Sequence, residues 1–292
     1  MTEHTSMTFM DTLKVFPQYL LPHHFLSAIM HKITRCEQTT FKNLMITQIA
    51  KQYDVDMSIA IEPNLTAYKS FNHFFTRALK PEARPVCEEE KSIASPVDGA
   101  ISQIGNIDEG QLFQAKGHQF SVKTLLGNDP SYELFENGKF ATIYLSPKDY
   151  HRIHMPIDGT LSKMIHVPGR LFSVNEVTAT HVPGLFARNE RVVSLFETEI
   201  GPMAVILVGA IFVSSMETVW AGTVTPPAGF QVRSWNYSSD ETKTTLKKGD
   251  ELGRFNMGST VILLFPQKTT NWNENFVATN SIKMGERLGS LI

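Results

Sequence analysis

The chain has 292 residues, 42% of them hydrophobic and 19% charged, with a formal net charge of −2. That is enough for one large or two modest globular domains, and it excludes a general electrostatic pull toward nucleic acid. Two cysteines, Cys36 and Cys87, are too few for a disulfide framework or a four-thiolate metal site and point to a reducing compartment.

The first elements read as helices. Phe9, Leu13, Phe16 and Leu20 recur at helical spacing until Pro22 interrupts them. Phe25, Ile29, Met30 and Ile33 resume the pattern, and Phe41, Leu44, Met45, Ile49 and Tyr53 form a third stripe. Ser70 is an N-cap candidate for a helix carrying Phe71, Phe74, Phe75 and Leu79 up to Pro81. Pro81 to Pro85, followed by Glu88, Glu89 and Glu90, reads as a solvated linker. It divides a helical region, residues 1–85, from a β-rich region, residues 86–292. Between residues 12 and 51 stand Lys14, Lys32, Arg35, Lys42 and Lys51 against one acid, Glu37. Such a segment suits adsorption to an anionic bilayer surface, and equally a helical cap on the body. Met1 to Met10 has no cationic stretch of the secretory kind.

After residue 92 short apolar runs alternate with Gly, Pro and Asn turns. Strands are expected at Ala100–Ile104, Phe140–Leu145, Thr160–Val167, Arg191–Phe196, Met203–Val213, Gly222–Val224 and Val261–Phe265. Met203–Val213, the longest apolar run, is too short to span a bilayer. A further helix is expected near Ser173, after the Pro168-Gly169 turn. The class is α+β, with helices packed on a sandwich- or barrel-like body.

Four features could carry chemistry. Gly258-Ser259-Thr260 precedes the last strong apolar run. A Gly-Ser step is usually a turn, yet a serine there can attack the preceding carbonyl, convert the amide to an ester and split the chain, leaving a pyruvoyl group. His151 and His154, in Tyr-His-Arg-Ile-His-Met-Pro, are candidate bases; the metal reading is weak, because no HExxH is present and His166 and His181 are loosely placed. Asp98, in Ser-Pro-Val-Asp-Gly, and Asp149 are candidate carboxylates to orient such a base. A serine hydrolase would use the same residue types, but no G-x-S-x-G elbow occurs.

The Asp98 motif, the Tyr-His-Arg-Ile-His-Met-Pro run and Gly258-Ser259-Thr260, in that chain order, resemble phosphatidylserine decarboxylases of the bacterial, membrane-associated branch. The resemblance rests also on Phe71–Arg77, Gln114–His118, Leu171–Asn175, Phe186–Arg191 and Glu217–Gly222. It covers roughly residues 10 to 266, with little signal after Pro266. Met257 stands where leucine is usual before Gly-Ser-Thr, a swap of similar volume with no expected consequence.

The resemblance implies a self-cleaving proenzyme. His154, oriented by Asp98, would take the proton of Ser259, and the chain would part between Gly258 and Ser259 into a β chain (1–258) and an α chain (259–292). The two would stay together as a heterodimer, because the short chain supplies a strand, and the likeness favours further dimerisation. A pyruvoyl group at position 259 would be the only cofactor, with no metal. It would form a Schiff base with phosphatidylserine, and His151 would transfer the proton that completes decarboxylation to phosphatidylethanolamine. A lipid substrate places the enzyme peripherally on the cytoplasmic face of the membrane, with residues 1–85 adsorbing to it. Three other readings compete: a pyruvoyl enzyme for a free amino acid, a non-enzymatic β-sandwich module, and a Ser-His-Asp hydrolase.

Overall fold

The computed structural model describes residues 9–115, 117–212, 215–225 and 230–292. Four helices come first: α1 (Phe9–Leu20), α2 (His23–Thr34), α3 (Thr39–Gln52) and α4 (Phe71–Phe75). Ser70 caps α4 by accepting the His73 N–H at 3.2 Å. The helix is shorter than its apolar spacing suggests. The Thr76 hydroxyl turns back to the Asn72 carbonyl, and Leu79 leaves to bridge Ala60. Three short helices follow: α5 (Val122–Leu125), α6 (Glu176–His181) and α7 (Leu185–Arg188). α6 begins three residues past Ser173, behind an Asn175 capping box.

The first helices are inverted relative to ordinary surface helices. α2 buries His23, Ser27 and Thr34 while Phe25 is 64% exposed. α1 buries Val15 in the main core but leaves Phe16 62% and Leu20 77% exposed. α3 buries Ile46 and Ala50, and Leu44 stays 66% exposed. Leu13, Phe16 and Leu20 of the first stripe and Phe25 and Ile29 of the second therefore face outward, whereas the third is split: Phe41 and Leu44 are exposed, but Met45 and Ile49 pack against the α3/α4 apolar cluster. Among the described residues no helix is long and apolar enough to cross a membrane.

The body is mostly one antiparallel sheet. Its path runs Arg233–Asn236, Gly159–Val167, Arg191–Thr198, Gly201–Val208, Thr260–Phe265, Lys139–Tyr144, Gly99–Asn106 and Ser281–Ile282, with Thr245–Leu246 also pairing to Gly159–Val167. The two ends of this path differ, so among the described residues the sheet is open, and of the sandwich- or barrel-like alternatives read from the sequence a closed barrel is not formed. The Met203–Val213 run is a strand only to Val208, since Gly209-Ala210 turns away, and Val213 lies outside the described residues. A four-stranded sheet joins Gly222–Thr223, Ser215–Thr218, Glu251–Asn256 and Arg152–His154.

This topology makes two side-by-side crossings. Lys139–Tyr144 pairs with Thr260–Phe265 in the large sheet, and Arg152–His154 pairs with Glu251–Asn256 in the small one. The chain passes between the sheets once through residues 145–151 and once through residues 257–259. The crossings lie together because the strands on both sides of them do.

Thr260–Phe265 is buried at every position, in the middle of the large sheet. Each such aliphatic side chain stabilises the fold by about 1.5–3 kcal/mol. A separate apolar cluster gathers Ile46, Ala50, Tyr68, Phe71, Phe74 and Phe75, and Met257 packs against it from the second crossing. The Pro81–Pro85 stretch lies at the surface but is tied to the body. Arg84 pairs with Asp98, and the Cys87 N–H donates to the Gly285 carbonyl at 2.8 Å.

Candidate active site

Ser259 sits at the mouth of the central strand. Its carbonyl accepts the Leu145 N–H at 2.7 Å, which locks the second crossing to the first. The side chain is 1% exposed, and its Oγ has no hydrogen-bond partner. A buried hydroxyl without a partner is costly, and each such group calls for an explanation, a catalytic role among them.

His151 closes the first crossing. Its Nδ1 lies 2.8 Å from the Asp149 carbonyl, and a carbonyl only accepts, so Nδ1 carries the proton. Nε2 is left with a free lone pair, buried and without a partner. The ring rests on Phe75, 4.0 Å between centroids, and its Nε2 edge abuts Gly258, where a β-carbon would overlap it. Full burial, with a smaller contribution from the Arg77 charge, lowers its pKa to about 3. The imidazole is therefore neutral, with the Nε2 lone pair free and facing Gly258.

The crossing that carries His151 is held from outside. The Asp149 carboxylate turns away from the histidine and accepts the Ser146 N–H and Oγ–H, both at 2.7 Å; burial raises its pKa. Buried Arg77 donates to the Lys148 carbonyl at 2.9 Å and lies over the Phe74 ring. Arg77 was legible only as part of a motif; its role depends on a contact 71 residues away.

The remaining expected residues are placed differently. His154 gives Nδ1–H to the Gly249 carbonyl at 2.7 Å and pairs Nε2 with the Tyr150 hydroxyl at 3.1 Å. Burial lowers its pKa, and the Glu251 and Asp98 charges oppose that. Asp98 does not hydrogen-bond His154, contrary to the orientation expected from the sequence. Its two oxygens are taken by the Arg84 guanidinium, and Oδ1 also by the Met284 N–H at 2.8 Å. The bidentate arginine pair outcompetes an imidazole for a buried carboxylate. His166 binds Glu190 at 3.0 Å and His181 the Val177 carbonyl at 2.9 Å, both in structural roles.

A pocket of about 390 Å³ opens onto His151 and Gly258. α3 and α4 contribute Ile49 and Phe75, the turn directly after α3 Tyr53, the 173–175 loop Ser173 and Asn175, and the 210–212 loop Phe212, itself 41% exposed. The pocket is largely apolar, with a neutral base at its floor.

A neutral histidine against Gly258 under such a pocket, with a buried, partnerless serine next in the chain, is the arrangement of an enzyme site. A family model described as phosphatidylserine decarboxylase matches residues 71–290, and one described as PSD matches residues 13–54. The match continues well past Pro266, so the C-terminal tail carries more family signal than its sequence alone suggested. Proteins named phosphatidylserine decarboxylase proenzyme are similar along nearly the whole length. One from Shewanella frigidimarina is 58% identical over 88% of this chain and 90% of its own. One from Shewanella halifaxensis is 54% identical over 97% and 99%, and one from Pseudomonas putida 55% over 95% and 97%. The chain belongs to the phosphatidylserine decarboxylase family.

Proposed function

We propose that this protein is a self-cleaving proenzyme that decarboxylates phosphatidylserine to phosphatidylethanolamine and carbon dioxide. The observation that carries the reading is the partnerless Ser259 Oγ, buried at an inter-sheet crossing next to Gly258, which a neutral histidine abuts, in a chain of this family.

Ser259 Oγ attacks the Gly258 carbonyl carbon, and the peptide C–N bond breaks to give an ester and a free amine. Loss of the Ser259 Cα proton then expels the Gly258 carboxylate. Water replaces the nitrogen as ammonia, leaving a pyruvoyl group at position 259. Chains 1–258 and 259–292 stay together because the short chain keeps Thr260–Phe265 in the centre of the large sheet. The pyruvoyl carbonyl supplies an electron sink for the substrate's amine-bearing carbon. Intact mass spectrometry tests the reading: two fragments are expected, the smaller lighter than a serine-led peptide by one ammonia. A single uncut chain with an ordinary serine at 259 overturns it.

The histidine roles follow the resemblance. His154, with Asp98 acting on it through charge, takes the Ser259 proton, and His151 transfers the proton at the reacting carbon. The free Nε2 of His151 beside Gly258 supports the second assignment. The same geometry favours a second reading, in which His151 is the base in both steps. His154→Ala and His151→Ala separate them. On the first reading only His154→Ala stays uncut, and on the second only His151→Ala does.

We also propose that residues 1–85 adsorb to the cytoplasmic face of the membrane, while residues 86–292 hold the chemistry. The outward Phe16, Leu20, Phe25 and Leu44 support this, since such exposed large side chains gain about 1.5–3 kcal/mol each on leaving water. The electrostatic part is smaller than the sequence suggested: Lys32 and Lys51 are exposed, but Lys42 is buried and Arg35 pairs with Glu217. Phe16→Glu with Phe25→Glu should abolish sedimentation with vesicles containing phosphatidylglycerol; undiminished sedimentation overturns the assignment.

A further inference from the structure

α1 and α2 do more than present an apolar face. On their inner side they hold the loop that walls the substrate pocket. Gln18 Oε1 accepts both the Ser173 N–H at 2.8 Å and the Ser173 Oγ–H at 3.1 Å. His23, 3% exposed, accepts the Leu171 N–H through Nδ1 at 3.2 Å. Between them the Tyr19 and His23 rings pack edge-on against Phe172, at 4.9 and 5.3 Å. The contact is clamped from the body: Arg170 donates to the Tyr19 carbonyl, and Arg188 lies over both the Tyr19 and Phe172 rings.

The far side of the same loop is held by buried Asn189. Its Oδ1 accepts the Phe172 N–H, and its Nδ2 donates to the Phe172 and Gly209 carbonyls, at 2.9–3.0 Å. Gly209 precedes Ala210–Phe212, another stretch of pocket wall. The Leu171–Asn175 loop is thus a plate pinned to the body on one side and to α1 and α2 on the other.

We propose that Gln18, with His23 beside it, is a positioning residue for decarboxylation, and that the bilayer-facing helices set the shape of the pocket through the Ser173 loop. The inference rests on the decarboxylase reading above. A membrane anchor alone would need no polar contact with the pocket wall. These helices instead bury His23 and Ser27 and half-bury Gln18 on their inner side while leaving leucine and phenylalanine in water. Without the Gln18 acceptor, the Ser173 backbone loses the contact that fixes it beside His151 and Gly258. Displacement of a positioning group by about 1 Å costs on the order of 100-fold in rate.

The test separates pocket shape from membrane recruitment. Decarboxylation is measured on phosphatidylserine with six-carbon chains, dissolved as monomers, and sedimentation with phosphatidylglycerol vesicles is measured in parallel. Gln18→Ala should be cut normally and bind vesicles normally, yet lose roughly tenfold or more in kcat/KM on the monomer. Gln18→Glu, which keeps an acceptor, should recover most of that loss and guards against a folding artefact. Phe16→Glu should show the reverse: vesicle binding lost, monomer turnover kept. Equal monomer turnover in Gln18→Ala and the parent overturns the proposal, as does an equal loss in Gln18→Ala and Phe16→Glu. No carbon dioxide from the parent overturns the decarboxylase reading instead.

Discussion

The His151 ring occupies the space that a side chain on residue 258 would need. A β-carbon on Gly258 would overlap Nε2 and Cδ2, and the ring has Phe75 at its face and the Asp149 carbonyl holding Nδ1. Glycine is required here by the approach of the imidazole; its φ does not lie in the left-handed region. Gly258→Ala must displace the ring or the crossing. Overpacking of this kind costs about 1–3 kcal/mol, and on the reading that makes His151 the base in both steps it moves that base off the scissile bond. The expected result is chain splitting slowed at least tenfold, on the order of the loss seen when a reacting group is misplaced, read as a time course of the two fragments on a denaturing gel. Splitting at the parental rate would show that His151 has no part in that step.

His151 also makes the fold sensitive to acid. In the unfolded chain its imidazole protonates near 6.5; burial pushes that to about 3 in the folded protein. Between those values the unfolded state binds more protons, so stability rises with pH. The contribution is complete above pH 6.5 and is lost as pH falls toward 3, at up to about 1.4 kcal/mol per unit. His154, also lowered by burial, adds in the same direction. Denaturant melts at pH 7.5, 6.0 and 5.0 should show a falling midpoint, and His151→Gln should flatten the trend. An unchanged slope in that variant would mean the imidazole is not held neutral.

Much of this was readable from residue order. The helical stripes mark α1, α2 and α3, and the apolar runs mark the central strands, because period and turn chemistry are local. What period leaves open is which way a stripe faces. Phe16 and Phe25 look like core residues until Val15 and His23 are seen to point inward. The histidines and Ser259 are conspicuous as motifs, yet the approach of His151 to Gly258 follows from two strand pairings shared by two sheets, and His154 is turned to Gly249 and Tyr150 instead. The ties of Asp98 to Arg84, Gln18 to Ser173 and Asn189 to Gly209 were not legible. Each is one side chain reaching a partner with no fixed spacing in sequence.

Met257 carries backbone strain next to the cut. Its φ is +81°, a region L side chains rarely adopt, while its side chain packs on the α3/α4 apolar cluster. Holding a non-glycine residue there costs on the order of 1–3 kcal/mol, offset by the anchored side chain. Met257→Leu keeps both features and should be cut at the parental rate. Met257→Gly removes strain and anchor together, and should be cut several-fold more slowly on the order of the 1 kcal/mol released. Timed fragment yields compare the three; faster cutting by Met257→Gly would show that strain hinders the step.

Asn189 offers the sharpest stability test of the pocket wall. It is fully buried, and one amide satisfies three backbone groups: the Phe172 N–H, the Phe172 carbonyl and the Gly209 carbonyl. Asn189→Ala strands all three in the interior, at about 1–3 kcal/mol for each group left without a partner. Asn189→Asp keeps the acceptor for Phe172 N–H, but sets a carboxylate against two carbonyls. Both variants should lose at least about 3 kcal/mol in urea unfolding on the same scale. Addition of the six-carbon phosphatidylserine should recover part of the loss, because a ligand bound to the folded state opposes loosening of the walls it touches. A loss under about 1 kcal/mol would mean that water replaces the amide, and that the loops at 172 and 209 are not held through Asn189.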